Sequence, residues 1–189
     1  MSTRGWQIER YRRDGGVEEL ADRVAVELPL EITVNGLPLV ALMRMPGMDK
    51  ELAVGFCLTE KVIASVSQIN LLKHCGQKEQ EIGRGREVED TVLDRGNVVE
   101  MEVESPGERE RFSSTYVVRT GCGGADLSAI EDLPAGAVSS QLRVKEEVIY
   151  GIGGELTRRQ EVFRGTGGTH GAGVFDAGGK AVVVAEDVG

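Results

Sequence analysis

The chain has 189 residues, of which 40% are apolar, 28% charged and 4% aromatic, and its net charge is −9. That supplies a core for one domain with a small lobe at most, and the acidic balance argues against general binding to nucleic acid or membrane surfaces. Three cysteines without a pairing pattern, a polar start and no apolar window of membrane-spanning length point to the reducing cytoplasm, without a secretory leader.

Residues 1–22 read as a polar, poorly specified lead-in carrying Arg4, Arg10, Arg12 and Arg13. From Leu28 to Val34 apolar and polar residues alternate, Asn35-Gly36 follows, and Leu37 to Met43 runs back. Asn-Gly between two such runs predicts a β-hairpin, because a type I′ turn needs positive φ at both central positions. Pro46-Gly47-Met48 closes that unit and Asp49 is placed to cap a helix over 50–64, with Leu52, Phe56 and Ile63 on its inner face and Cys57 in the core. An apolar connector, 65–75, ends in His74-Cys75, which lacks a second pair at metal-ligand spacing. The charged, glycine-bearing stretch 76–90 reads as an exposed loop.

Strand alternation resumes over 98–103 and, past Ser105-Pro106-Gly107, over 111–118. That second strand leads into Arg119-Thr120-Gly121-Cys122-Gly123-Gly124-Ala125-Asp126, and a short helix opening at Asp126 would set Cys122 near free N–H groups that favour a thiolate. Ser139 or Ser140 starts a predicted helix through Leu142, Val144, Val148 and Ile149, which Gly151, Gly153 and Gly154 interrupt before a second piece over 155–163. A second glycine-rich loop follows, Arg164-Gly165-Thr166-Gly167-Gly168-Thr169-His170-Gly171, and then a hairpin of 174–176 and 181–185 around Ala177-Gly178-Gly179-Lys180. Helices interleaved with strands give a mixed α/β (α+β) class.

The two glycine loops share a build: an arginine, small hydroxyl residues, and one reactive side chain, Cys122 in the first and His170 in the second. Their backbone N–H groups, with Arg119 and Arg164, suit phosphate oxygens, although neither matches the Walker or dinucleotide fingerprints. On residue chemistry alone they make a candidate anion site beside a candidate thiolate, with a Cys–His hydrolase as a remote alternative.

Wording and order say more. Leu28 to Gly36, Met45-Pro46-Gly47, Glu51 to Phe56, Gly121-Cys122-Gly123, Thr166 to His170 and the closing Glu186-Asp187-Val188-Gly189 resemble the formate dehydrogenase accessory sulfurtransferase family over roughly 28–189. The resemblance implies a cytidine-deaminase-like core with the hairpin as an N-terminal lobe, and homodimerisation. It also implies sulfur transfer from a cysteine desulfurase to the guanine dinucleotide form of the molybdenum cofactor, on behalf of formate dehydrogenase. On that reading 23–189 is the sulfurtransferase-like domain, with no intrinsic metal. Cys122 carries the sulfur, His170 orients the cofactor or supplies a proton, and Arg119, Gly121, Gly123, Gly124, Arg164, Thr166, Gly167, Gly168 and Thr169 line the cofactor site. Two departures stand out. The family's Cys-x-x-Cys has only its first thiol here, Ala125 standing in the second position, and the family continues with Arg-His-Asn after the closing motif, so the chain reads as C-terminally truncated. Both departures keep a second reading open: a non-catalytic chaperone or scaffold for the cofactor and the dehydrogenase. The two glycine loops, 119–125 and 164–171, are expected to converge on one pocket.

Overall fold

The computed structural model describes residues 2–75, 97–106, 116–118 and 139–188, with the side chains of 116–118 left out. They form nine strands, three α-helices and one 3₁₀ turn, and the chain divides into two compact units, Met1–Val26 with Thr120–Gly189, and Glu27–Arg119.

The second unit is built on the predicted hairpin. Strands β3 (Leu28–Val34) and β4 (Leu37–Arg44) are antiparallel, and Asn35 and Gly36 turn between them at φ 50° and 75°. Asn35 does a second job: its Oδ1 accepts the Val103 N–H at 2.8 Å and its Nδ2 donates to the Val103 carbonyl at 3.1 Å. That ties the turn to β6 (Val98–Val103), which pairs parallel with β3. Strand β5 (Ile69–Cys75) adds antiparallel to β6, and β7 (Tyr116–Val118) parallel to β4, giving the order β5-β6-β3-β4-β7. The hairpin is therefore no separate lobe; it is the middle of a mixed five-stranded sheet. The β3–β4 register slips after Ile32, so that Val40 faces Ile32 and Pro38 faces Thr33. Proline has no N–H for the ladder, and a bulge is where a strand tolerates it.

Leu30, Ile32 and Val34 alternate inward on β3, Leu39, Val40 and Leu42 follow on β4, and Val99, Met101 and Val103 on β6. Each such side chain contributes about 1.5–3 kcal/mol on leaving water. Helix α1 (Asp49–Thr59) closes this core with Ala53 and Cys57, both fully buried, and Leu52 and Phe56 partly so. The helix is shorter than its sequence pattern implied. It stops at Thr59, Lys61 takes φ 58°, and Ile63 enters the core from the following turn, its N–H donating to the Cys57 carbonyl at 3.1 Å. The 65–75 connector is a 3₁₀ turn, Val66–Gln68, capped by Ser65, and then β5.

The first unit corrects two expectations. Residues 1–22 are not a shapeless lead-in: β1 (Thr3–Tyr11) and β2 (Val17–Ala25) pair in unbroken antiparallel register about a turn in which Gly15 takes φ 86°. Arg12 pairs with Glu18 at 2.7 Å, and the Arg4 guanidinium lies over the Trp6 ring. The glycines of 151–154 do not break a helix. Helix α2 (Glu146–Arg159) runs straight through them, because Val148, Ile152 and Leu156 pack on the hairpin of β8 (His170–Phe175) and β9 (Ala181–Asp187). That packing outweighs the ~1 kcal/mol per glycine that helix propensity charges. Glu146 and Glu147 sit in its first turn and Arg158 and Arg159 in its last, matching the macrodipole. Residues 139–145, read as helical, precede it without regular structure. A short helix α3 (Glu161–Thr166) links α2 to β8. The predicted loop 76–90 and the helix opening at Asp126 lie outside the described residues.

Candidate functional site

Arg164, Thr166, Gly167, Gly168, Thr169 and His170 fall among the described residues. Arg119, Gly121, Cys122, Gly123 and Gly124 lie outside them, and with them the expected meeting of the two glycine loops.

The second glycine stretch is not a single loop. Helix α3 takes in Arg164, Gly165 and Thr166, and β8 starts at His170, leaving Gly167, Gly168 and Thr169 as the turn. Gly167 ends the helix in the left-handed region, φ 66°, and its N–H donates to the Phe163 carbonyl at 2.7 Å. Glycine takes that conformation without a Cβ penalty. The Thr166 hydroxyl donates to the Val162 carbonyl at 2.8 Å and accepts the Gly168 N–H at 3.1 Å. Two turn amides are thus spent inside the segment, and the turn stands at the carbonyl end of a helix, where the dipole favours cations. The idea of free amides cradling phosphate loses two donors here. Arg164 is exposed in the last turn of α3. A second arginine joins it: Arg23 on β2 has its Nη1 3.7 Å from where a Cβ on Gly165 would stand. The sequence carries no local signal for that approach, which depends on the docking of β2 beside α3.

Beyond the turn, β8 and β9 bring the two most specific motifs together. His170 is opposite Asp187, and Gly171 is opposite Glu186. The Glu186 carboxylate reaches over to α3, where Oε1 accepts the Val162 N–H at 3.2 Å and Oε2 accepts the Phe163 N–H at 2.8 Å. Oε2 also accepts the Thr169 hydroxyl at 2.8 Å, and Thr169 is buried. Glu186 is the residue that sequence reasoning quoted without giving it a task. The signal was present, since counting outward from the 177–180 turn sets 171 against 186. His170 itself is exposed at the head of β8. Behind it, Gly171 lies on the buried side chain of Gln160, whose Oε1 would stand 2.8 Å from a Cβ there, with Nε2 and Cδ closer still.

The other unit holds a separate polar cluster. Arg44, 1% exposed, sets its Nε 2.6 Å from Oδ1 of the buried Asp49 and its Nη2 3.3 Å from the Asn97 Oδ1 that it donates to. His74 Nε2 is 3.8 Å from the other Asp49 oxygen. Asp49 was expected to cap α1; the position before the first turn belongs instead to Met48, and the Asp49 carboxylate turns to Arg44. The pair spans Met45-Pro46-Gly47, closing that loop against the end of β4. Cys57 is sealed in the core, where burial pushes its thiol up to about 11. Cys75 is half-buried. Among the described residues no helix is long and apolar enough to cross a membrane, and no three His, Cys, Asp or Glu side chains stand together as a metal site.

Comparisons with known proteins agree on one family. The model for the FdhD/NarQ family matches residues 25–189. A Mycobacterium bovis protein described as sulfur carrier protein FdhD is 32% identical over 169 residues, covering 89% of this chain and 60% of its own. A Streptomyces coelicolor protein of the same description is 34% identical over 185 residues, covering 94% and 62%, and one from Anaeromyxobacter dehalogenans 35% over 183 residues, covering 94% and 59%. The chain thus spans about three fifths of the length of these relatives. A crystal structure assigned to a formate dehydrogenase accessory protein of Desulfotalea psychrophila superposes with a TM-score of 0.68 at 18% identity, covering all of this chain and 64% of the other. The mixed α/β fold is shared with it; the finer likeness to cytidine deaminases rests on the sequence resemblance alone.

Proposed function

This chain belongs to the FdhD/NarQ family, and from that membership we propose that it is a sulfur carrier serving formate dehydrogenase. The observation that carries the reading is the family match over 25–189, a span that includes both Cys122 and His170. The Cys122 thiolate attacks the outer sulfur of a cysteine desulfurase persulfide. A new S–S bond forms to Cys122, the old one breaks, and the desulfurase cysteine leaves as a thiolate, with no net change of oxidation state. The client is the molybdenum cofactor in its guanine dinucleotide form. Releasing the carried sulfur as sulfide consumes two electrons, delivered when a second thiol attacks Cys122 and forms a disulfide with it. A Cys-x-x-Cys pair would hold that thiol in place; with Ala125 in the position, a small-molecule thiol or dithiol supplies it. His170 orients the cofactor or provides the proton, the two roles for which an imidazole is most often used. Arg119, Gly121, Gly123, Gly124, Arg164, Thr166, Gly167 and Gly168 remain the proposed cofactor contacts, with Thr169, buried and bonded to Glu186, supporting the turn behind them, in a cytoplasmic homodimer.

The test is incubation with a desulfurase and sulfur-labelled cysteine. The reading expects label on Cys122 that thiols remove, retained when Cys57 and Cys75 are both changed to serine and lost in Cys122→Ala. Ala125, in place of the second thiol, favours the second reading, a non-catalytic cofactor chaperone or scaffold. Binding of a guanine nucleotide with no label on Cys122 would select it.

A further inference from the structure

We propose that Glu186 is a positioning residue, holding the segment from which His170 projects through its bond to the Thr169 hydroxyl. The functional half of this inference rests on the sulfur-carrier reading; the geometric half stands without it.

The Glu186 carboxylate meets only donors in its described hydrogen bonds: two backbone N–H groups of α3 and the Thr169 hydroxyl. It replaces a local cap, since Gln160, the N-cap residue of α3, makes no side-chain bond to the helix. The helix needs only the Val162 and Phe163 bonds for this. The Thr169 bond is surplus to capping, and it fastens the residue immediately before His170. A second path runs from the same carboxylate through Val162, whose carbonyl takes the Thr166 hydroxyl, and on to the Gly168 N–H. Both ends of the Gly167-Gly168 turn are therefore tied to one charged group, while the β8–β9 ladder fixes Gly171 directly opposite it. A glutamine there would turn an N–H₂ toward a donor, leaving a donor facing a donor.

An ordinary structural cap would predict that only the α3 bonds matter, so the informative variants are at Thr169. Thr169→Val deletes the surplus bond and leaves the cap, Thr169→Ser restores the hydroxyl, and Glu186→Gln perturbs both. The chain has two histidines, His74 and His170, so an imidazole carbon–proton spectrum carries the signal of interest and an internal reference. The proposal expects the His170 signal to broaden or divide in Thr169→Val and Glu186→Gln, with His74 unmoved and the serine variant like the parent. In the sulfur assay, loading of Cys122 should be equal in all variants. Delivery to the cofactor should fall about tenfold in the valine and glutamine variants and recover in the serine one, tenfold being the scale of one charge-assisted hydrogen bond. An unchanged His170 signal with parental delivery in Thr169→Val overturns the proposal, as does joint movement of both histidine signals, which marks a general structural effect. Should Glu186→Gln not fold, the valine–serine pair decides. Should the parent chain take up no sulfur, the sulfur-carrier reading falls, and the imidazole spectra alone decide whether Glu186 and Thr169 hold His170.

Discussion

Changing Gly171 to alanine should set a methyl group against the buried side chain of Gln160. The added carbon would lie 2.8 Å from Gln160 Oε1, nearer still to Nε2 and Cδ, where non-bonded atoms settle at about 3.5–4.0 Å. Gln160 is 6% exposed and its backbone N–H is held by the Leu156 and Thr157 carbonyls, so relief must come from its side chain turning, at the cost of its buried seat. Overpacking of this kind costs about 1–3 kcal/mol, and the narrower unfolded ensemble of alanine returns about 0.4–1 of that. A net loss of ~1–2 kcal/mol follows. The decisive measurement is a double-mutant cycle with Gln160→Ala, by urea unfolding followed through Trp6, the chain's one tryptophan and part of the same unit. Removing the amide removes the clash, so the double variant should be more stable than the two single losses imply, by ~1–2 kcal/mol. Simple addition of the two losses, to within about 0.5 kcal/mol, would show that Gln160 is not what Gly171 makes room for.

Gly153→Ala should act oppositely, raising stability by about 0.5–1 kcal/mol, because a Cβ there meets nothing within 4 Å; a loss on urea unfolding would contradict a continuous α2. Cys57, with its thiol pushed from 9.0 up to about 11, should react with iodoacetamide far more slowly than Cys122, and comparable rates would refute its burial. The same shift has a signed consequence: stability is unaffected by Cys57 below pH 9 and falls as the pH rises toward 11, when the unfolded thiol ionises and the buried one resists. The parent chain should lose roughly 2–3 kcal/mol more than Cys57→Ala across that window, and parallel curves would count against it. Asp49→Ala strands the buried Arg44 charge and should cost ~3–5 kcal/mol, much of it recovered by adding Arg44→Met; a single-variant loss under about 1 kcal/mol would mean the pair is not sealed from water.

What could be read in advance follows the range of the interactions. Asn35-Gly36 announced its hairpin because the turn's demand for positive φ is local. The alternation on β3 and β6 announced the core because one face of each is buried. Strands β1 and β2 went unread because both of their faces are wet and polar residues occupy both, so no period-2 contrast in hydropathy appears. Helix α2 was split in two because glycine propensity is local, while the support from Leu156 on Gly173 and from Val148 on Gly179 comes from a hairpin more than ten positions on. At the site, the motifs drew attention to the segment around His170, but the contacts of Glu186, Arg23 and Gln160 depend on docking that a linear pattern does not display. Asp49 was misassigned because a helix start and a buried ion-pair partner call for the same residue type.

The order β5-β6-β3-β4-β7 also dictates a sequence of events in time. The β3–β4 hairpin closes across two residues and needs nothing else, so it can form within about 1–10 μs of its release. Its neighbours arrive differently: β6 aligns parallel to β3 only when Met101 reaches Val34, and β7 aligns to β4 only when Val118 reaches Leu42. Both steps close long loops before any contact rewards them, and such steps set the pace of folding. During synthesis the hairpin emerges before the other strands of its sheet and waits with two open edges and an apolar face, and the interval before β6 and β7 cover those edges is when the nascent chain is most exposed to mispairing with another copy.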